Sequence, residues 1–283
     1  MTADLEPRTT TTAVSPDGVR LAVQEWGNPA GHPLLLIHGQ AQCHLSFVRQ
    51  LRSQLTHDFR VITFDLRGHG ESDKPDGPEF YQDSQRWADD IKCVIDTLDL
   101  HRPVLVGWSM GGRVIRNYLI HHGDRRLGAI NFVSCRPVED ASVVGPGSVA
   151  AHQPPHSLGG QIRQNIAFLR NCFNEEPDPD DFALAIGFNM MLPQEVRRAI
   201  QGWSTSPDAS AAALRAITVP TLITHGRLDR LILPAAAQMT ADHVPGSRLS
   251  WYDNAGHAPF YEDAPRFNRE LAAFAREAIK AWR

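Results

Sequence analysis

The residues most able to do chemistry centre on Ser109, which lies in the sequence Gly107-Trp108-Ser109-Met110-Gly111. This is the G-x-S-x-G pattern of a serine nucleophile on a tight turn from a strand into a helix. A serine hydroxyl is a weak nucleophile unless a base lies beside it, so the turn must lift its Oγ to where a histidine can reach it. A side chain at either glycine would collide with the neighbouring strand and helix at such a bend. The pattern therefore predicts acyl-transfer chemistry at Ser109.

A general base for this serine has to come from the 13 histidines, and position along the chain favours His257. It lies in the sequence NAGHAPF, directly after a predicted strand at 247–253. In an open parallel sheet the active residues lie on loops at the carboxyl ends of the strands. We therefore predict His257 as the base. His38 and His225 lie inside the ends of predicted strands, and we expect them to be structural.

A carboxylate is also needed, to hold the histidine in the correct tautomer and to stabilise the imidazolium formed during attack. Asp229, in the sequence HGRLDRLILP, follows a predicted strand and gives the chain order Ser, Asp, His that is typical of such an architecture. Asp253 is the alternative, but its position at a strand end is more typical of a turn residue. The prediction is Asp229.

Amide donors for the developing oxyanion come from two places in the sequence. The N–H of Met110 directly follows the nucleophile, and the N–H of Gln40 follows a glycine at the end of an earlier predicted strand, where the backbone can approach a substrate closely. The loop DLRGHGES at 65–72 packs Asp, Arg, His and Glu between glycines and suggests catalysis at first sight. We expect this loop to be structural.

The elements that must position these residues alternate between strand and helix along most of the chain. A hairpin around Asp17-Gly18 opens the sheet with antiparallel strands, after a polar, frayed end at 1–12. Further strands are predicted at 32–39, 59–64, 103–107, 127–135, 217–226 and 247–253, and helices at 43–55, 84–100, 110–122, 234–243 and 265–282. Between 136 and about 215 the alternation stops, and Pro-rich turns and helical patches predict a helical cap.

Taken together, the segments HGQ, DLRGHGES, GWSMGG, HGRLDRL and NAGHAPFYEDAPRF resemble the α/β-hydrolase superfamily. The chain is similar to the branch of small carboxylesterases and cofactor-free haloperoxidases. The resemblance implies an α/β fold with a mostly parallel eight-stranded sheet flanked by helices. It also implies a core at 1–135 and 216–283 and a helical cap inserted at 136–215. For this sequence it implies Ser109 as nucleophile, His257 as base, Asp229 as its orienting acid, and oxyanion donors at Gln40 and Met110.

Composition and charge exclude several other classes. The chain has 283 residues, 42% of them hydrophobic, with 28 Lys and Arg against 32 Asp and Glu. A formal charge of -4 gives no attraction for nucleic acid. No apolar run approaches the ~18 residues of a membrane span, and the start lacks a signal core, so we expect a cytoplasmic protein. The spacing of the cysteines predicts neither a disulfide nor a metal site.

The predicted function is a serine hydrolase that cleaves a small carboxylic ester through an acyl-enzyme, without a cofactor. Haloalkane dehalogenases and epoxide hydrolases of this fold use an aspartate nucleophile, so the serine argues against both. Three alternatives stay open. They are a C–C bond hydrolase acting on a small acidic or aromatic substrate, a lactonase or perhydrolase, and a non-catalytic ligand-binding member. The sequence also leaves open whether the chain is a monomer or a homodimer.

Overall fold

The computed structural model describes residues 5–150 and 157–281 and has an eight-stranded sheet at its centre. The strands are β1 (Thr9–Val14), β2 (Arg20–Gly27), β3 (His32–Ile37), β4 (Phe59–Phe64), β5 (Val104–Trp108), β6 (Ala129–Val133), β7 (Thr221–Gly226) and β8 (Arg248–Tyr252). They lie side by side in the order β1-β2-β4-β3-β5-β6-β7-β8. β2 is antiparallel to its neighbours β1 and β4, and the other neighbouring pairs are parallel. The mostly parallel eight-stranded sheet is thus confirmed.

Helices flank this sheet and fill the region between β6 and β7. In chain order they are α1 (Val48–Leu51), α2 (Leu55–Asp58), α3 (Glu79–Gln82), α4 (Ser84–Thr97), α5 (Met110–His122), α6 (Pro146–Ala150), α7 (Leu158–Cys172), α8 (Pro179–Met190), α9 (Gln194–Gln201), α10 (Pro207–Arg215), α11 (Ala235–His243), α12 (Pro259–Glu262) and α13 (Ala264–Lys280). Short 3-10 turns lie at His44–Phe47 and Ala141–Val143.

The central strands are buried on both faces, as their continuous apolar sequences predict. Alternate residues therefore belong to two separate cores. Leu105 points into the core under α4 and α5, whereas Val104 and Val106 point into the core under α13. Trp108, the last residue of β5, belongs to the core under α13. Its buried indole therefore fixes the chain directly before Ser109.

Two predictions of local structure are wrong. Residues 9–12 are not a frayed end, because they form most of β1 and pair with β2, in keeping with the β-branched character of this threonine run. Residues 1–4 lie outside the described part. The single helix at 43–55 is instead a 3-10 turn followed by α1 and α2. Ser53 explains the break between α1 and α2, since its Oγ bonds the carbonyl oxygen of Gln50 (2.7 Å) and accepts from the N–H of Leu55 (3.2 Å).

The described residues of the segment 136–215 are helical or irregular, and they include no strand. Its residues 151–156 and Trp282 of the predicted last helix lie outside the described ranges. The helices α7 and α8 pack on each other, α9 packs on α3, and α10 packs on α5. Over the described ranges, no helix combines the length and the apolar composition that crossing a bilayer requires.

Candidate active site

The backbone at Ser109 has the strained turn that the sequence predicts. Ser109 has φ of 53°, a left-handed value that a residue with a side chain seldom adopts. A Cβ added to Gly107 would lie 2.6 Å from the side chain of Ile115, and one added to Gly111 would lie 2.3 Å from the carbonyl oxygen of Ile37. Strand and helix can approach closely enough to hold this turn because both positions are glycine. Ser109 is therefore presented at the carboxyl end of β5, with partial exposure.

The two predicted oxyanion donors flank this serine because β3 and β5 are neighbours in the sheet. Gly39 follows β3, and a Cβ on it would lie 3.2 Å from Cβ of Ser109. Gln40 is the next residue. Met110 is the first residue of α5, where the N–H groups of a helix have no partner within the helix. Among the described residues neither of these two N–H groups donates to a backbone oxygen.

Asp229 and His257 meet, as predicted. Nδ1 of His257 lies 2.7 Å from Oδ2 of Asp229, and both side chains are buried. Because a carboxylate only accepts, Nδ1 carries the proton and Nε2 is left with a lone pair. Oδ1 of Asp229 accepts the backbone N–H groups of Leu231 (2.8 Å) and Ile232 (3.0 Å). The carboxylate is thus fixed in one orientation and fixes the tautomer of the imidazole.

A second histidine contacts the same carboxylate, which the sequence reasoning missed. Nε2 of His225, in β7, lies 3.2 Å from Oδ2 of Asp229 and 2.9 Å from the carbonyl oxygen of Ile232. Burial alone would raise the pKa of Asp229, but the charges and hydrogen bonds of His257 and His225 hold its pKa well below its usual range. The four-residue spacing in HGRLD was the available signal.

The backbone of His257 is held on both sides. Its N–H donates to the carbonyl oxygen of Cys172, the last residue of α7, at 2.9 Å. Its own carbonyl oxygen accepts from Nε1 of Trp108 at 2.8 Å. The residue directly before Ser109 and the end of a helix from the segment 136–215 therefore both position this histidine. Sequence reasoning did not assign either contact.

No hydrogen bond joins Ser109 to His257 within the described part of the chain. Such bonds are often long before a substrate binds and shorten in the complex. Asp253, the alternative acid, has a 75% exposed side chain and pairs with Arg227 at 2.7 Å. It has no contact with His257 among the described interactions, so the geometry favours Asp229.

An apolar pocket opens beside the residues that adjoin Ser109 and His257. About 40 Å³ of it admits a water-sized sphere, which makes it a narrow cleft. Its aromatic and small apolar walls include Trp108, Phe173, Phe182, Phe188, Ala258 and Phe260. Trp108 precedes Ser109 and Ala258 follows His257. The pocket can therefore hold an apolar part of a molecule whose reacting carbon lies at Ser109.

The loop 65–72 has structural contacts, as expected. Arg67 is fully buried and binds Asp90 (2.6 Å) and Asp17 (2.7 Å). Asp65 accepts the backbone N–H of His44 (2.7 Å) and of Glu71 (2.9 Å). These bonds tie the loop to the turn between β1 and β2, to α4 and to the chain after β3.

Cys43, His44 and Asp65 bring three potential metal ligands within reach of one another. However, burial raises the pKa of the Cys43 thiol well above its usual range, and thiolate is the form that binds metals. Nδ1 of His44 already lies 3.1 Å from Asp65. We interpret this group as part of the support of the loop.

Four arginines of the segment 136–215 differ in burial. Arg163, Arg170 and Arg198 are exposed, but Arg197 on α9 is only 4% exposed. Its Nη2 donates to Oδ1 of Asn165 on α7 at 3.1 Å. With little but burial acting on it, the pKa of Arg197 is lowered to about 10.

Comparison with known proteins gives a family match over most of the chain. A model of the alpha/beta hydrolase family matches residues 34–270. The protein YisY of Bacillus subtilis, named as a member of the AB hydrolase superfamily, is 31% identical over 91% of this chain and 96% of its own length. The 2-hydroxymuconate semialdehyde hydrolase of Pseudomonas sp. strain CF600 is 28% identical over 93% of each chain.

Solved structures give the same result. A candidate aryl esterase from Burkholderia cenocepacia is 35% identical, with a TM-score of 0.90 over 96% of this chain and 100% of its own. The esterase RhEst1 from Rhodococcus sp. ECU1013 is 30% identical, with a TM-score of 0.86 over 94% of this chain and 98% of its own. The fold that the sequence predicts is thus confirmed.

Proposed function

The chain belongs to the alpha/beta hydrolase family, and on that premise we propose that it is a serine hydrolase of small carboxylic esters. Ser109 is the nucleophile, His257 the base and Asp229 the acid that orients the base. The observation that carries this proposal is the left-handed turn at Ser109, linked by the Trp108 indole to a histidine whose Nδ1 donates to a buried carboxylate.

The mechanism follows from this geometry. His257 accepts the proton of Ser109 on Nε2 while Oγ attacks the ester carbonyl carbon. The N–H groups of Gln40 and Met110 stabilise the oxyanion of the tetrahedral intermediate. His257 then returns the proton to the departing alcohol, which leaves an acyl-enzyme. Water repeats the cycle, with His257 as base, and releases the acid. Asp229 stays ionised throughout and stabilises the imidazolium.

An ester is favoured as substrate for two reasons. The relatives at 35% and 30% identity are described as a candidate aryl esterase and an esterase. The narrow apolar pocket beside Trp108 and Ala258 suits an alkyl or aryl substituent of an ester.

The experiment measures initial rates on p-nitrophenyl esters from acetate to decanoate. We expect turnover with an optimum at a short or medium chain, set by the size of the pocket. Ser109→Ala should lower kcat by at least about 10³-fold. Ser84→Ala is the matched control. Ser84 is the first residue of α4 and its hydroxyl bonds His121 of α5 (2.9 Å), so this substitution should leave the rates unchanged. Turnover that survives in Ser109→Ala would exclude the proposed nucleophile.

A C–C bond hydrolase is the second candidate, since a relative at 28% identity is named a 2-hydroxymuconate semialdehyde hydrolase. The discriminating comparison is a vinylogous diketo acid against the p-nitrophenyl esters, at equal enzyme concentration. We expect a higher kcat/KM for the esters. A higher value for the diketo acid, again dependent on Ser109, would replace the ester by this substrate class.

A further inference from the structure

Arg197 is a buried cation whose charge is not matched by a carboxylate. The other two deeply buried arginines each have one, since Arg67 pairs with Asp90 and Arg116 pairs with Glu139. Among the described residues no Asp or Glu lies within ion-pair distance of Arg197, and the sequence at 151–156 contains neither. A buried charge without a partner is strongly destabilising. A bound anion would remove that penalty.

Nε of Arg197 is buried without a hydrogen-bond partner, and other such atoms lie on the elements around it. Among the described residues they include Nε2 of His69 and both Oδ1 and Nδ2 of Asn189. Asn189 is fully buried at the end of α8, next to Met190, whose sulfur lies 3.1 Å from Nδ2 of Asn165. Asn165 in turn binds Arg197. Buried polar groups are normally satisfied, so these atoms indicate that a polar ligand or water completes this place between α7, α8 and α9.

Two structural connections lead from this place to the candidate active site. The loop that carries His69 meets α9, since a Cβ added to Gly68 would lie 2.6 Å from the side chain of Val196. Burial, then the charge of His38 and last that of Arg197 lower the pKa of His69 to about 3, and its ring packs edge-on against that of His38 at 5.2 Å between ring centroids. His38 precedes Gly39, which faces Ser109. On the other side, Asn165 lies two turns, or about 10 Å, before Cys172 on α7, and Cys172 holds the backbone of His257.

We propose that Arg197 binds a free carboxylate of the substrate, so that the enzyme selects esters that carry a second, ionised carboxyl group. The inference rests on the proposed esterase function, whose substrate class it specifies. The guanidinium offers its Nε and a second nitrogen to the two carboxylate oxygens, while Asn165 fixes its orientation. The unpartnered amide of Asn189 can donate a further hydrogen bond.

The test compares two substrates with one leaving group, p-nitrophenyl hemiglutarate and its neutral methyl ester. We expect kcat/KM to be higher for the hemiglutarate, through a lower KM. Arg197→Gln should reduce kcat/KM for the hemiglutarate by roughly 10- to 100-fold, with little change for the neutral ester. This is the fold-change that corresponds to the free energy of a hydrogen bond to a charged group. Arg197→Lys should recover part of the loss. Arg198→Gln, an exposed neighbour on α9, is the matched control and should change neither.

Binding without turnover gives an independent readout. In Ser109→Ala, glutarate should bind in calorimetry, and Arg197→Gln in that background should abolish the binding. Equal kcat/KM for both esters, unaffected by Arg197→Gln, would overturn the inference and leave the esterase standing. An equal loss on both esters would show that Arg197 is structural. Absence of Ser109-dependent turnover on either ester contradicts the proposed function instead, and glutarate binding then still tests the anion site.

Discussion

The carboxylate of Asp229 accepts from two imidazoles, and their positions give them different tasks. His257 donates through Nδ1, and in the proposed mechanism its Nε2 accepts the proton of Ser109. Nε2 of His225 lies between Asp229 and the carbonyl oxygen of Ile232, so this nitrogen must carry a proton and donate. With both histidines donating, the pKa of Asp229 is held well below its usual range, so its carboxylate is ionised at neutral pH. We therefore expect it to orient His257 without taking its proton.

This arrangement predicts the effect of Asp229→Asn. An asparagine amide in place of Oδ2 would favour the wrong tautomer of His257, and we expect kcat to fall by about 10⁴-fold with little change in fold. Asp253→Asn is the control, because that side chain lies on the surface beside Arg227. The measurement is kcat on a p-nitrophenyl ester, with circular dichroism to check folding. Equal losses in the two variants would contradict the assignment of Asp229.

At this scale the motif spacings predict that Ser109, Asp229 and His257 follow strand ends, and the structure places them there. Their catalytic roles stay predictions. The sequence does not predict contacts that cross the chain. The indole of Trp108 reaches a carbonyl oxygen 149 residues away, and α7 reaches the N–H of the same residue, His257. Likewise, Arg197 and its neighbour Arg198 look alike in sequence, and only the structure shows that Arg197 is buried and donates to Asn165 of α7.

The joint between β5 and α5 depends on glycine, which gives a prediction at the scale of elements. A methyl group at residue 111 would lie 2.3 Å from a backbone oxygen of residue 37, so α5 or β3 would have to move. We expect Gly111→Ala to lower the free energy of unfolding by about 3 kcal/mol, as overpacking does, and to abolish activity. Urea unfolding and the ester assay measure the two effects.

Gly187→Ala provides the matched control on another helix. Gly187 is an exposed interior residue of α8, and an added Cβ meets nothing within 4 Å. The same substitution should therefore stabilise the protein by about 0.5–1 kcal/mol, through the lower backbone entropy of alanine in the unfolded chain. If both variants destabilise the protein equally, close packing at the turn is not the cause.

Sequence patterns predict regular elements better than their interruptions. The strands β3, β5 and β7 and the helices α4 and α5 are where the sequence predicts them. Their apolar residues recur with the spacing that burial of one or both faces requires. The broken helix after β3 was missed because one hydroxyl, that of Ser53, decides it. The hairpin around Asp17-Gly18 is predicted, but the extension of its first strand over 9–12 is not, because these mostly exposed threonines show no alternation and are held by pairing with β2.

For the whole molecule, an ion cluster joins α5 to the segment that follows β6. Glu139 accepts from Arg113 (2.9 Å), Arg116 (2.7 Å) and Arg136 (2.9 Å). Two of these arginines also bond to the last part of the segment 136–215. Arg113 donates to the carbonyl oxygen of Trp203 at 3.0 Å, and Arg116 donates to Thr205 at 2.8 Å. A single carboxylate thus contacts three guanidinium groups and helps to connect α5 with the segment 136–215.

Stability at acid pH should depend on this carboxylate. Burial alone would raise the pKa of Glu139, but Arg113 and Arg116 lower it from 4.5 to about 2. A group whose pKa is depressed by folding stabilises the fold fully at a pH above its unfolded-state pKa, and it loses that contribution as the pH falls towards its folded-state pKa.

Glu139→Gln should therefore lower the free energy of unfolding at pH 7 by about 2 kcal/mol, after allowance for solvent screening. The difference between the two proteins should shrink from pH 5 downwards, because the wild type loses the same charge. Urea unfolding at pH 7, 5, 4 and 3 measures it. A difference that stays constant over this range would mean that Glu139 stabilises the protein through hydrogen bonds and packing and that its charge contributes nothing.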